Sequence, residues 1–200
     1  MPFDLFRRRG APRSVPEATS LPDGIPFVGF TDEWRIEGVM EIEGRAWDAL
    51  NRRAPIPIAG VRWGPVDGSE PLEPAPGLRS IDPYDLVVAL AVPAESGSRN
   101  ELVRGAVVPL DVVLHCPPLR VVGTVRVRPG DDADALLAHH PELFIPVGGA
   151  VAFLDRQPLP IPANDLVLVN RAYLKEAREI DARTMEAVRP LARAADEGAG

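Results

Sequence analysis

The chain has 200 residues, a formal net charge of −7 and one cysteine. That length holds one large or two small domains. The acidic balance argues against nucleic acid as a partner, because phosphate binding needs clustered Lys and Arg, and the lone Cys116 excludes a disulfide-stapled module.

From the N-terminus, the first segment is Met1-Pro2-Phe3-Asp4-Leu5-Phe6-Arg7-Arg8-Arg9. It carries charge with no apolar stretch behind it, so it does not read as a signal peptide. Pro2 in place of glycine argues against N-myristoylation. Phe3, Leu5 and Phe6 beside Arg7, Arg8 and Arg9 are candidate contacts for a membrane surface or a partner, but so short a basic-apolar segment binds weakly alone. Up to Pro26, Arg, Pro, Ser and Gly mix without period, which predicts a flexible arm over residues 1–26. The longest apolar run, Leu86–Val92, is far too short to span a bilayer. A cytoplasmic, bacterial protein is expected.

The rest of the chain is self-similar. Arg35-Ile36-Glu37-Gly38-Val39-Met40 matches Arg120-Val121-Val122-Gly123-Thr124-Val125 in its arginine, its glycine and its apolar positions. Further blocks follow in order. Asp48-Ala49-Leu50 meets Asp134-Ala135-Leu136, and Ile56-Pro57-Ile58 meets Ile145-Pro146-Val147. Val61-Arg62-Trp63 meets Val151-Ala152-Phe153, and Asp85-Leu86-Val87-Val88 meets Asp165-Leu166-Val167-Leu168. Ordered blocks with small changes of spacing point to an internal duplication. The changes fall at loops: the first copy carries a longer Pro- and Gly-rich segment from Gly64 to Pro83.

Within a copy, Val125 and Val127 alternate with Arg126 and Arg128, the period of a half-buried strand. Gly38 and Gly123 interrupt that strand and predict a bend or bulge. A short helical segment follows, over 44–53 or 129–140. Strands are then predicted over 56–63 and 86–91, or 144–153 and 166–170, with one more before each glycine, at 27–30 and 107–114. The high count of 23 prolines and 17 glycines suits short strands and many turns. The predicted fold is mainly β: two tandem, strongly bent barrels or sandwiches, Sm-like or SH3-like in outline, related by pseudo-twofold symmetry. A C-terminal helix follows. The predicted boundaries are an arm (1–26), repeat 1 (27–92), a linker (93–106), repeat 2 (107–174) and a helix with tail (175–200). Residues 173–180 fit either that helix or a last strand. Trp63 and Phe153, at matching positions, are both expected in the core.

These elements resemble an uncharacterised bacterial domain family. Its repeat has glycine in the first hairpin, a segment with Asp-x-Leu-Asn, and a strand ending Val-Asn-Arg or Val-Asn-Lys. Asp48-Ala49-Leu50-Asn51 fits the second feature and Val169-Asn170-Arg171 the third, while Asp134-Ala135-Leu136-Leu137 and Leu90-Ala91 depart from them. The resemblance implies a duplicated small-barrel architecture and no activity.

No catalytic constellation emerges. His115 and Cys116 are neighbours on a strand and point apart, so with His139 and His140 they make a poor zinc set. Asp131, Asp132 and Asp134 lack the spacing of a calcium loop. Arg9 and Arg13 have the spacing of a PilZ-type cyclic-dinucleotide site, but Asp67-Gly68-Ser69 is followed by Leu72 where a glycine is required. Ser96-Gly97-Ser98 has no nucleophile-elbow setting. No cofactor or metal is expected. A non-catalytic protein-interaction or regulatory module fits best. The alternatives are a small-ligand sensor, with Arg35 and Arg120 meeting an anion at the seam between repeats, and an unrecognised enzyme.

Overall fold

The computed structural model describes residues 23–91, 106–138, 141–159, 166–181 and 183–188. The N-terminal half contains β1 (Ile25–Phe30), β2 (Trp34–Met40), α1 (Ala46–Asn51), β3 (Ile56–Pro65), β4 (Glu73–Pro74), β5 (Ser80–Ile81), a 3-10 turn (Pro83–Asp85) and β6 (Val88–Ala91). The C-terminal half contains β7 (Val108–Cys116), β8 (Leu119–Val127), α2 (Ala133–Ala138), β9 (Phe144–Leu154), β10 (Gln157–Pro158), β11 (Leu166–Asn170), a second 3-10 turn (Arg171–Tyr173) and β12 (Glu176–Glu179). A last helical turn covers 183–188.

The protein is mainly β. Its strands join in one antiparallel sheet, ordered β12-β7-β8-β9-β11-β6-β1-β2-β3-β4, with β5 on β3 and β10 on β9. The sequence predicts two tandem barrels or sandwiches related by pseudo-twofold symmetry, whereas one sheet runs through both halves. Strand β6 pairs with β11, through Val88 opposite Val169 and Ala89 opposite Leu168, and carries the sheet across the halves. The apolar run explains this: Leu86 to Leu90 are all sealed from solvent, as a strand with cores on both faces must be.

Two cores lie on opposite faces at this seam. Val28, Phe30, Val88, Leu90, Val167 and Val169 enter one core, shared with β7, β8, β9 and α2. Their neighbours Phe27, Ala89 and Leu168 enter the other, with Ile36, Met40, Leu50, Ile56 and Ile58. The period-two alternation of strands divides the residues between the cores. A smaller cluster places Met185 over Val122, Val151 and Phe153. The turn bearing Met185 is capped by Asp181, which accepts from Thr184 N at 2.8 Å and Thr184 Oγ1 at 2.7 Å.

The halves share their pairing scheme. In each, a two-residue turn joins the first two strands, at Asp32-Glu33 and at Pro117-Pro118. Phe27 stands opposite Gly38 as Val112 stands opposite Gly123. The register slips at Gly38 between β2 and β3, and at Gly123 between β8 and β9. Facing each slip is a glycine in the left-handed region, Gly60 (φ 60°) and Gly149 (φ 55°), the conformation of the first residue in a common bulge. A Cβ on Gly38 would lie 3.0 Å from Ala59 O; one on Gly123 would lie 2.6 Å from a Val147 methyl and 3.0 Å from Gly148 O. Glycine is needed there for close approach of the backbones.

The same registers correct parts of the sequence alignment. Ile36 faces Trp63, and the corresponding Val121 faces Ala152, so the counterpart of Trp63 is Ala152 and not Phe153. A one-residue slip exchanges the faces of a strand. Phe153 is accordingly buried while Trp63 is 40 % exposed, against the expectation that both lie in the core. At the strand ends, Ile56 faces Ile81 and Ile145 faces Val169. Asp82 therefore corresponds to Asn170, and the likeness of Asp85–Val88 to Asp165–Leu168 is not an equivalence. Of the two readings of residues 173–180 the strand holds: Glu176–Glu179 form β12, paired with β7, so the C-terminal helix expected from 175 begins only at 183. A twofold arrangement would also pair β12 with β5. Among the described residues β12 pairs only with β7, and β5 only with β3.

Candidate functional site

The two arginines proposed as anion ligands are not brought together. Arg35 lies on β2 and Arg120 on β8, with β1, β6, β11 and β9 between them in the sheet. Arg35 stands opposite Phe30 and Gly64 and pairs with Glu37 two residues along, on the same face. Its Nε is buried without a hydrogen-bond partner. The guanidinium of Arg120 lies 5.3 Å from the centre of the Phe153 ring, a cation–π distance. Neither is at the β6–β11 seam. The other candidate contacts, Phe3, Leu5, Phe6, Arg7, Arg8 and Arg9, lie outside the described residues, as do Arg13, His139, His140 and Ser96 to Ser98.

Cys116 is buried, and burial pushes its thiol up to about 12, the opposite of what a nucleophile requires. Among the described residues no three His, Cys, Asp or Glu side chains converge as a metal site, and no helix is long and apolar enough to cross a membrane.

The feature that stands out is aromatic. The turn before β2 is held by Thr31, whose Oγ1 accepts from Trp34 N at 2.8 Å and Glu33 N at 3.2 Å. This fixes Trp34 at the start of β2, two residues from the core residue Ile36 and so on the same face. Trp63, opposite Ile36, shares that face. The two indoles stack, with centroids 4.8 Å apart and planes 20° from parallel. They remain 37 % and 40 % exposed. Glu73 on β4 is opposite Trp63 and sets an exposed carboxylate beside the rings. In the C-terminal half the corresponding positions are Leu119 and Ala152, both fully buried, with Leu159 N bonded to Ala152 O at 2.8 Å. One half seals this end of its core; the other presents two tryptophans to solvent. Sequence inspection missed Trp34 and misplaced Trp63. The available signal was two tryptophans facing apolar positions that elsewhere need only Leu and Ala.

A second constellation joins the halves. Asn170, buried at the end of β11, donates from Nδ2 to Pro83 O at 3.1 Å and Leu86 O at 2.7 Å, and its Oδ1 accepts from Ala172 N at 2.9 Å. From the other side, Trp47 Nε1 donates to Phe144 O at 3.2 Å, Asn51 Oδ1 accepts from Phe144 N at 2.9 Å, and Arg53 donates to Pro141 O at 2.9 Å. Tyr173 is also drawn in: burial, then the charges of Asp32 and Asp85, raise its phenol above the ordinary range. These hydrogen bonds serve the junction. Asn51 and Asn170 both act here as backbone clamps.

Comparison with protein-family models, curated proteins and solved structures found no match.

Proposed function

We propose that this chain is a non-catalytic, cytoplasmic interaction module made of two copies of one small, bent β unit, and that its contact surface is centred on Trp34 and Trp63. The carrying observation is the stacked, exposed indole pair at a place that the second unit seals with Leu119 and Ala152. Tryptophan offers a large apolar face at little conformational cost and dominates contact energies at interfaces. The duplication is supported by the shared turns, the matching slips at Gly38 and Gly123, and the paired left-handed glycines Gly60 and Gly149. The ligand-sensor alternative places a pocket at the seam. The seam is filled by Phe30, Leu90, Phe144 and Leu168, which favours the interaction reading.

The test is affinity capture with the full chain and with Trp34→Ser/Trp63→Ser, both shown to be folded by circular dichroism. A protein retained by the first and lost with the second, then reproduced with purified components, supports the assignment. Equal retention by both forms overturns the tryptophan surface. A thermal shift by small metabolites, unaffected by the double substitution, favours the sensor.

A further inference from the structure

The junction between the halves runs head to tail: β6 of the first unit takes the outer edge of β11 of the second. Because β11 holds the place in its unit that β5 holds in the first, and β12 the place of β6, the same two surfaces recur at the outer ends of the chain. There they have no strand partner among the described residues. We infer that β12 and β5 are the two halves of a latent self-association interface, which would take a second copy of this chain once opened, and that specific side-chain exchanges hold it closed. The inference rests on the equivalence of the two units proposed above.

Several devices of the internal junction are replaced at the free ends. Val88 and Leu90, buried on β6, are replaced by Glu176 and Arg178, which pair with each other and remain exposed. Charged side chains on an edge strand oppose strand addition. Trp47 and Asn51, the hooks on α1, correspond to Ala133 and Leu137 on α2. Asn170, which reaches two carbonyls of the neighbouring unit, corresponds to Asp82. Asp82 keeps the local role, accepting from Tyr84 N at 2.9 Å, but an aspartate has nothing to donate. Last, Val28 packs into the adjoining unit's core, whereas its counterpart Val113 packs in the cluster under Met185 of the C-terminal turn. That turn occupies the face on which a next unit would sit.

The β5 edge supplies a clean control. Ile58 N donates to Arg79 O at 3.0 Å, so the adjacent Pro57–Ser80 pair turns its amides away from β3. Its counterpart Leu168 stands opposite Pro146 on one side and Ala89 on the other. Proline at position 80 therefore removes an outward N–H while sparing the pairing with β3.

Light scattering after size exclusion gives the test, on the full chain throughout. Wild type is expected as a 21.6 kDa monomer. The variant Glu176→Val/Arg178→Leu/Glu179→Ala/Met185→Glu is expected to at least double its mass with rising concentration. Adding Ser80→Pro is expected to restore the monomer. A folded variant that stays monomeric, or association that Ser80→Pro does not reverse, overturns the inference. Should the variant not fold, hydrogen exchange on wild type decides: the β12 amides facing away from β7 must exchange openly at every concentration, and concentration-dependent protection of β12 overturns the closed state. The equivalence of the units is judged separately, by the paired glycine substitutions described below, so its failure is distinguishable.

Discussion

Asn170→Ala removes a side chain that bonds directly to two carbonyls of the opposite half from inside the sheet. Three hydrogen bonds are lost, to Pro83 O, Leu86 O and Ala172 N. Pro83 O keeps a bond from Leu86 N at 3.3 Å, but Leu86 O is left buried without this donor. A buried polar group stripped of its partner costs about 1–3 kcal/mol, and the lost cap on the 3-10 turn adds roughly 1 kcal/mol. The expected loss is therefore about 3 kcal/mol in urea unfolding. Asp82→Ala removes the corresponding cap where the aspartate is exposed and reaches across to nothing; its loss is expected at roughly 1 kcal/mol or less. Asn170→Asp sharpens the test, because a carboxylate facing two carbonyls can only accept. Its folded-state pKa must rise above the unfolded value, so the protonated form, which can donate, is favoured. The variant's deficit should then be smallest below about pH 4 and grow as pH rises toward 7. If Asn170→Ala lies within about 0.5 kcal/mol of Asp82→Ala, a difference the error of such measurements cannot resolve, the clamp does not hold the halves together.

The bulges give a paired prediction. Gly123→Ala and Gly38→Ala should both destabilise, by about 1–3 kcal/mol from overpacking, with Gly123 the worse because its Cβ meets an atom at 2.6 Å rather than 3.0 Å. Gly77→Ala, with open space around the Cβ, should be neutral in the same denaturation assay, and a neutral Gly38 beside a costly Gly123 would break the equivalence. Phe153→Ala should cost about 3–5 kcal/mol, whereas Trp63→Ala, half exposed, should cost less than half of that; equal losses would contradict the face assignment. Burial of the Cys116 thiol raises its folded pKa from 9.0 to about 12. Its contribution is therefore complete below pH 9 and is lost as pH climbs toward 12, at about 1.4 kcal/mol per pH unit. Cys116→Ala should flatten that alkaline slope in thermal melts between pH 9 and 11, and an unchanged slope would assign it to other groups.

The strands were legible because their physics is local. Val125 and Val127 between Arg126 and Arg128 can bury only one face, and β8 buries it. Gly38 and Gly123 announced bulges, because a glycine inside a strand signals close backbone approach. The failures arise where partners decide. The bulge at Gly60 sits between Ile58 and Val61, and the block carrying Trp63 was matched one residue out of step beyond it, which reversed the face of an aromatic. Glu176-Ala177-Arg178-Glu179 suited helix and strand alike by spacing, and it is a strand because Ala177 fits the core opposite Leu114. The joining of the halves was invisible for the same reason: an apolar strand such as Leu86–Leu90 shows that both its faces are covered, not which strand lies beside it.

On the equivalence proposed above, the differences between the units follow from their surroundings. Where a position corresponds in both and meets the core in both, the residue types persist: Leu50 and Leu136, Ile58 and Val147, Leu86 and Leu174. Where one copy faces the other and its counterpart faces outward, they diverge by polarity: Val88 against Glu176, Leu90 against Arg178, Phe30 against His115. Asn170 against Asp82 follows the same logic in hydrogen bonding, an amide where donors are needed and a carboxylate where only acceptance is. Trp34 and Trp63 run the other way. Their counterparts Leu119 and Ala152 are buried, yet the outward-facing copy carries the larger and more apolar side chains. Solvent exposure gives no reason for that choice, and junction packing gives none either, since neither residue lies at the seam. The proposed contact with another surface would. For this reason the indole pair, rather than either arginine, is the place at which to look for a partner.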